Sequence, residues 1–192
     1  MKTNYFSVYV SEEDKDTVEK AFKVLEDISG IKIKRIYKGR RETRENFLMD
    51  FLKEIDREGD EFEIYVVDTK FVELEIDSKF GITFRKIVSD GSFLRERGRI
   101  IISSKLVKEK NDDPEKALFY VTLHELGHFH GLPPHSTKFI YQGKNAWHCA
   151  EKGCIMRNID NEEIMEDLMS KNSYFCERCE RALKENMRKL YE

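Results

Sequence analysis

EFEIYVVD, residues 61–68, decides how the rest of the chain is read. Its centre, Ile64-Tyr65-Val66-Val67, is apolar without alternation. A strand of that kind is covered on both faces, so it belongs inside a sheet with parallel neighbours. Towards the N-terminus, residues 4–10 alternate as a strand. Ser11 then offers an N-cap ahead of acidic residues, and Val18, Phe22, Val24, Leu25 and Ile28 recur at helical spacing up to Gly30. Residues 31–37 alternate again, and residues 41–57 carry a second helical stripe of Phe47, Leu48, Phe51, Leu52 and Ile55. Strands that alternate with helices predict βαβ units with parallel neighbours. Beyond residue 68 the pattern changes. Residues 80–88 and 99–104 read as two strands joined through a loop at 89–98. A connection without a helix predicts an antiparallel pair, with one strand running against the sheet. The class is therefore α/β (α+β), with a mostly parallel sheet and one antiparallel strand.

A chain of 192 residues suits one domain with a small appendage. With 40% hydrophobic residues it can bury a core, and a net charge of −3 excludes the electrostatic footprint of a general nucleic-acid binder. No apolar run approaches the roughly 18 to 20 residues of a membrane span. The opening MKTNYFSVYV alternates and is followed by charge, unlike a signal peptide. A cytoplasmic location is the expectation, and in that reducing compartment thiols more often bind metal than form disulfides.

All five histidines lie between His124 and His148, and all four cysteines between Cys149 and Cys179. Chemistry is thus expected in the last third, with the rest as scaffold. Asp113-Pro114 is a strong helix start, and the helix runs through KALFYVTLHELGHFH to Gly131. Within it, His124-Glu125-Leu126-Gly127-His128 matches H-E-x-x-H. Residues four apart differ by about 40° around a helix, so both imidazoles share a face and can reach one zinc ion. Glu125 falls beside that face, placed to take a proton from a water activated by the metal. Gly131 permits a left-handed turn, after which the chain can return a third ligand. His135 and His148 are both candidates for it. The cysteines, C-x4-C at Cys149 and Cys154 and C-x-x-C at Cys176 and Cys179, suit a tetrahedral zinc held by four thiolates better than two disulfides. Such a site would tie the chain near Met156 to a final helix with Leu183, Met187 and Leu190 as its stripe. His130 has no ligand role in this pattern and is expected to meet the helix C-terminus or solvent.

Taken together, H-E-x-x-H-x-x-G, then His148-Cys149-x4-Cys154-x-Met156, then Cys176-x-x-Cys179, the segment 124–179 resembles the archaemetzincin family of zinc metallopeptidases. The earlier strand and helix order fits the N-terminal subdomain of the wider metzincin clan. The resemblance implies a twisted, mostly parallel five-stranded sheet with one antiparallel edge strand, an active-site helix, and a small zinc-clipped helical C-terminal subdomain. It divides the chain into 1–131, an α/β subdomain that includes the active-site helix, and 132–192, with an insertion loop, the Met-turn and the four-cysteine site. It implies two zinc ions. The catalytic one would be held by His124, His128 and His148, with Glu125 as general base. The structural one would be held by Cys149, Cys154, Cys176 and Cys179. Met156 becomes the Met-turn methionine. Two departures stand out. Sixteen residues separate Gly131 from His148 where the family has two, and nineteen separate Met156 from Cys176 where it has seventeen. His148 keeps its register with Cys149 and Met156 and is the expected third ligand; His135 is the alternative.

These readings give a zinc-dependent peptidase that hydrolyses peptide bonds by an activated water with a glutamate base. The expected partner is a peptide or protein substrate, without nucleic acid or membrane, and the chain is expected to be a monomer. The substrate would lie along the antiparallel edge strand, with residues 80–86 as the candidate. The aromatic-rich insertion 132–147 could form a lid. The alternative is a catalytically weak or inactive zinc-binding module acting in peptide or protein binding. A zinc-ribbon adaptor for nucleic acid is weaker still, because no basic stripe surrounds the cysteines.

Overall fold

The computed structural model describes residues 5–41, 62–69, 71–75, 85–89, 91–94, 98–133, 140–141, 144–145, 148–157 and 174–192. The expected helix at 41–57 and His135 lie outside the described residues, as does most of the insertion. Strand β1 (Tyr5–Val10) leads into α1 (Glu12–Ser29) and β2 (Lys34–Gly39). Ser11 caps α1, its Oγ accepting the Asp14 N–H at 3.3 Å. Gly30 closes it in the left-handed region, with φ of 73° and its N–H donated to the Glu26 carbonyl at 2.8 Å. Val18, Ala21, Phe22 and Leu25 form the buried stripe. Arg35 on β2 reaches back to Glu19 and Glu26 on α1 and clamps strand to helix.

Strand β3 (Phe62–Val67) takes the interior place that its unbroken apolar run requires. It pairs in parallel with β1 on one side and with β7 (Arg99–Ser103) on the other. The sheet order is β2-β1-β3-β7-β6, where β6 (Gly91–Leu94) pairs antiparallel with β7. Glu63 on β3 lies opposite Arg99 on β7 in the register, and the two form a buried ion pair at 2.7 Å. Removing one partner from such a pair strands a charge in the sheet.

The strand pairing around residue 85 differs from the sequence expectation. Residues 85–89 do not pair with 99–104. They form β5 (Arg85–Ser89), antiparallel to β4 (Phe71–Glu75) in a separate two-stranded sheet. The antiparallel partner of β7 is β6, inside what the sequence reads as a loop. The short 95–98 connection ends on Gly98 at φ 62°, so a local hairpin closes at less entropic cost than a ten-residue loop. Of the edge-strand candidate at 80–86, residues 80–84 lie outside the described residues and 85–86 belong to β5; the antiparallel edge of the main sheet is at 91–94.

After β7 come α2 (Ser104–Lys110) and α3 (Pro114–Phe129). Asp113 caps α3 by accepting the Lys116 N–H at 3.1 Å, with Pro114 in the first turn. Every residue from Ala117 to Gly127 except Phe119 is buried. Such a helix is apolar nearly all round, so its buried polar groups need partners. Phe129 packs on Phe6 and Phe62 at 4.8 Å from each ring, joining the end of α3 to β1 and β3. The last helix, α4 (Glu177–Tyr191), buries Cys179, Leu183 and Met187, while Leu190 is half-buried. No helix among the described residues is long and apolar enough to cross a membrane. We expect Glu63→Ala to lower stability by about 3 kcal/mol in urea unfolding, and a second change, Arg99→Met, to restore most of that loss.

Candidate metal centre

His124 and His128 stand one turn apart on α3, with ring centroids 4.5 Å apart. Each ring spends its Nδ1 on a backbone carbonyl. His124 Nδ1 lies 2.6 Å from the Ile155 oxygen and His128 Nδ1 lies 2.8 Å from the Leu132 oxygen. A carbonyl only accepts, so Nδ1 carries the proton in both rings. The two Nε2 lone pairs are then left facing each other at 2.9 Å. Burial also holds both rings neutral: His128 is pushed down to about 4, and His124 well below the ordinary histidine range, with His128 adding to the effect. Two converging lone pairs on neutral rings are repulsive unless a cation sits between them. Carbonyl-bonded Nδ1 with exposed Nε2 is also how zinc-ligating histidines are oriented.

The carbonyl behind His128 comes from the end of the helix. The Leu132 N–H donates to the Gly127 carbonyl and the Gly131 N–H to the His128 carbonyl, both at 2.9 Å. This 6→1 and 5→2 pair is a Schellman turn, and it needs Gly131 at φ 78°. The turn reverses the chain and aims Leu132 back at the ring of His128. The carbonyl behind His124 comes from the segment 148–156. There the Cys149 N–H donates to the Met156 carbonyl at 2.7 Å and closes the segment into a clasp. The clasp delivers His148, whose ring centroid is 5.3 Å from those of both His124 and His128. The three imidazoles offer one nitrogen each within 4.8 Å of one another. Three converging imidazoles fit zinc, the borderline-soft ion that such donors favour.

Glu125 is buried on the same helix, and desolvation alone pushes its carboxyl up to about 8. No hydrogen bond or ion pair to that carboxyl occurs among the described residues. Met156 lies beneath the site, fully buried. A Cβ on Gly127 would stand 2.3 Å from its sulfur, so the unnamed position of H-E-x-x-H must be glycine for the methionine to pack there. An isolated glycine inside a strong helical pattern was the available signal for this contact. His130 is buried instead of solvated. Its Nδ1 meets the Leu126 carbonyl at 2.7 Å and its Nε2 the Tyr191 hydroxyl at 3.2 Å.

The cysteines converge a short distance away. The four sulfurs lie within 4.8 Å of one another, and none is in a disulfide. Cys149 and Cys176 are 3.7 Å apart, close to the ~3.8 Å edge of a tetrahedron with Zn–S of ~2.3 Å. Contacts from Cys154 and Cys179 pull the Cys149 thiol down, whereas Cys149 pushes Cys154 up to about 12 and Cys179 up as well. A dication bound among them would deprotonate its thiol ligands outright. Gly153, at φ 76°, turns the loop between Cys149 and Cys154, and Cys176 and Cys179 open α4. Between His128 and His148 in the chain, the insertion contains a small hairpin, β8 (Ile140–Tyr141) with β9 (Lys144–Asn145).

No family model matches the chain, and no curated protein matches it significantly. Among solved structures, the fold is similar to that of a zinc-dependent peptidase from Methanocorpusculum labreanum (strain Z). The two chains are 18% identical with a TM-score of 0.54, over 93% of this chain and 99% of that one. A likeness at this identity is one of fold. Gly127→Ala is expected to force Met156 out of its seat, costing about 1–3 kcal/mol in thermal unfolding and weakening metal binding at the histidines.

Proposed function

We propose that the chain is a zinc-dependent peptidase of the archaemetzincin kind. His124, His128 and His148 hold the catalytic zinc, Glu125 is the general base, and Cys149, Cys154, Cys176 and Cys179 hold a structural zinc. The observation that carries this reading is the convergence of three imidazoles beside a buried glutamate. The solved structure with the similar fold is itself a zinc-dependent peptidase, which agrees with it. Met156 under the helix and the arrangement of β6 at the sheet edge, running beside α3, agree with a metzincin-like fold.

Zinc bound at the histidines supplies Lewis-acid activation of a water and of the peptide carbonyl. The chain supplies the rest. Leu132 and Ile155 hold the imidazole tautomers through their carbonyls. Glu125 takes the proton from the attacking water and passes it to the departing amine. A carboxylate that first takes and then gives up this proton serves as base and then as acid. Substrate adds as an extended strand along β6. The long spacing from Gly131 to His148 was the reason to consider an inactive binding module. With His148 beside the helix pair, that reason lapses.

Glu125→Gln is expected to lower peptide hydrolysis by about 10²–10⁴-fold. Two equivalents of zinc should remain in elemental analysis. Unchanged turnover would remove the base from the mechanism. His148→Ala is expected to lose one zinc and His135→Ala neither; the reverse pattern would transfer the third ligand to His135.

A further inference from the structure

The C-terminal helix does more than carry two cysteines. At the end of α3 the Schellman turn satisfies the carbonyls of Gly127 and His128, and Leu126 accepts from both the backbone and the ring of His130. The His130 carbonyl finds its donor elsewhere: Asn186 of α4 reaches across and donates Nδ2–H to it at 2.8 Å. The same amide packs against the turn, where a Cβ on Gly131 would lie 3.0 Å from Asn186 Nδ2. Five residues further on, still on α4, Tyr191 meets the ring of His130. The Nδ1 of that ring faces a carbonyl and so donates, leaving Nε2 to accept the tyrosine O–H. Two side chains of α4 thus hold His130 by its carbonyl and by its ring.

What they hold leads directly to the metal centre. His130 precedes Gly131, whose turn aims the Leu132 carbonyl at His128 Nδ1, and His128 Nε2 faces His124. We infer that Asn186 is a positioning residue for the histidine cluster, acting through the His130–Leu132 turn, with Tyr191 in a supporting part. The inference rests on the reading of His128 as a zinc ligand. Asn186 lies two to three turns along α4 from Cys176 and Cys179, so its loss leaves the sulfur ligands in place. A helix that served only to bring cysteines together would have no use for an amide at this position.

The test uses Asn186→Leu, which keeps the branched shape and heavy-atom count and removes the N–H without adding charge. In metal-free protein, NMR of the imidazole protons follows solvent exchange of His128 Nδ1–H. Competition with a chromophoric chelator gives the zinc affinity of each cluster, and cobalt substitution separates them, since only the cysteine cluster shows thiolate-to-cobalt charge transfer. Outer partners of metal ligands typically contribute about 10–100-fold in affinity. We expect about tenfold faster exchange at His128 and about tenfold weaker zinc at the histidines, with the cysteine cluster unchanged. Wild-type exchange and affinity would overturn the inference. An equal loss at both clusters would also overturn it, by showing a general loosening of α4. If the wild type itself took no metal at its histidines, the peptidase reading would fail, and the exchange comparison would still decide the positioning role. Should Asn186→Leu not fold, Tyr191→Phe loosens His130 from the other end and is expected to shift the same readouts in the same direction.

Discussion

The hydrogen bond from His124 Nδ1 to the Ile155 carbonyl joins the two clusters. Ile155 sits between Cys154, one of the four sulfurs, and Met156, which fills the space under Gly127. The segment is closed at its other end by the bond from the Cys149 N–H to the Met156 carbonyl, and His148 extends from that closure. Its N–H at Ile155 is held in turn by the Tyr174 carbonyl, next to the start of α4. Nine consecutive residues therefore supply an imidazole to one cluster, two thiols to the other, and the carbonyl that sets a tautomer. The clasp cannot move at the cysteines without moving at the histidines.

This coupling explains why a long insertion is tolerated. The Schellman turn launches the chain away from α3 after His128, and the clasp brings it back at His148. Lengthening a connection from two residues to sixteen costs only about 2 kcal/mol of closure entropy. A structural zinc contributes about 10–16 kcal/mol when bound. Where His148 must stand is thus decided by its bond to Cys149, not by its distance from Gly131. The β8–β9 hairpin shortens the excursion further by pairing part of it on itself.

What could be read from the sequence follows the same physics. The start of α3 was legible because Asp113 and Pro114 act locally, and α1 because Ser11, a single apolar stripe and Gly30 do. The interior place of β3 was legible from a run with no polar face. The partner of β7 was not. Strand pairing depends on which nearby segment closes more cheaply, and the four residues of β6 are too few to show alternation. At the candidate metal centre the side chains that the structure brings together were visible by type and spacing. The groups that orient them were not, because a carbonyl of leucine or isoleucine carries no mark in a sequence.

That asymmetry has a structural cause. α3 is buried on nearly every side, so its histidines have little access to water for their second hydrogen bond. Each must find a fixed acceptor, and the nearest are main-chain oxygens of segments that turn back on the helix. A free side chain in that place would lose rotamer entropy of up to about 2 kcal/mol on ordering, and a backbone carbonyl already fixed by a turn loses none. The same economy applies at the far end of the helix, where the last orphan carbonyl is met by Asn186, already ordered by the packing of Leu183 and Met187 beside it. The buried helix thus gains rigid orienting groups from the turns and the packed helix around it, and the cysteine clasp keeps one of those turns in place.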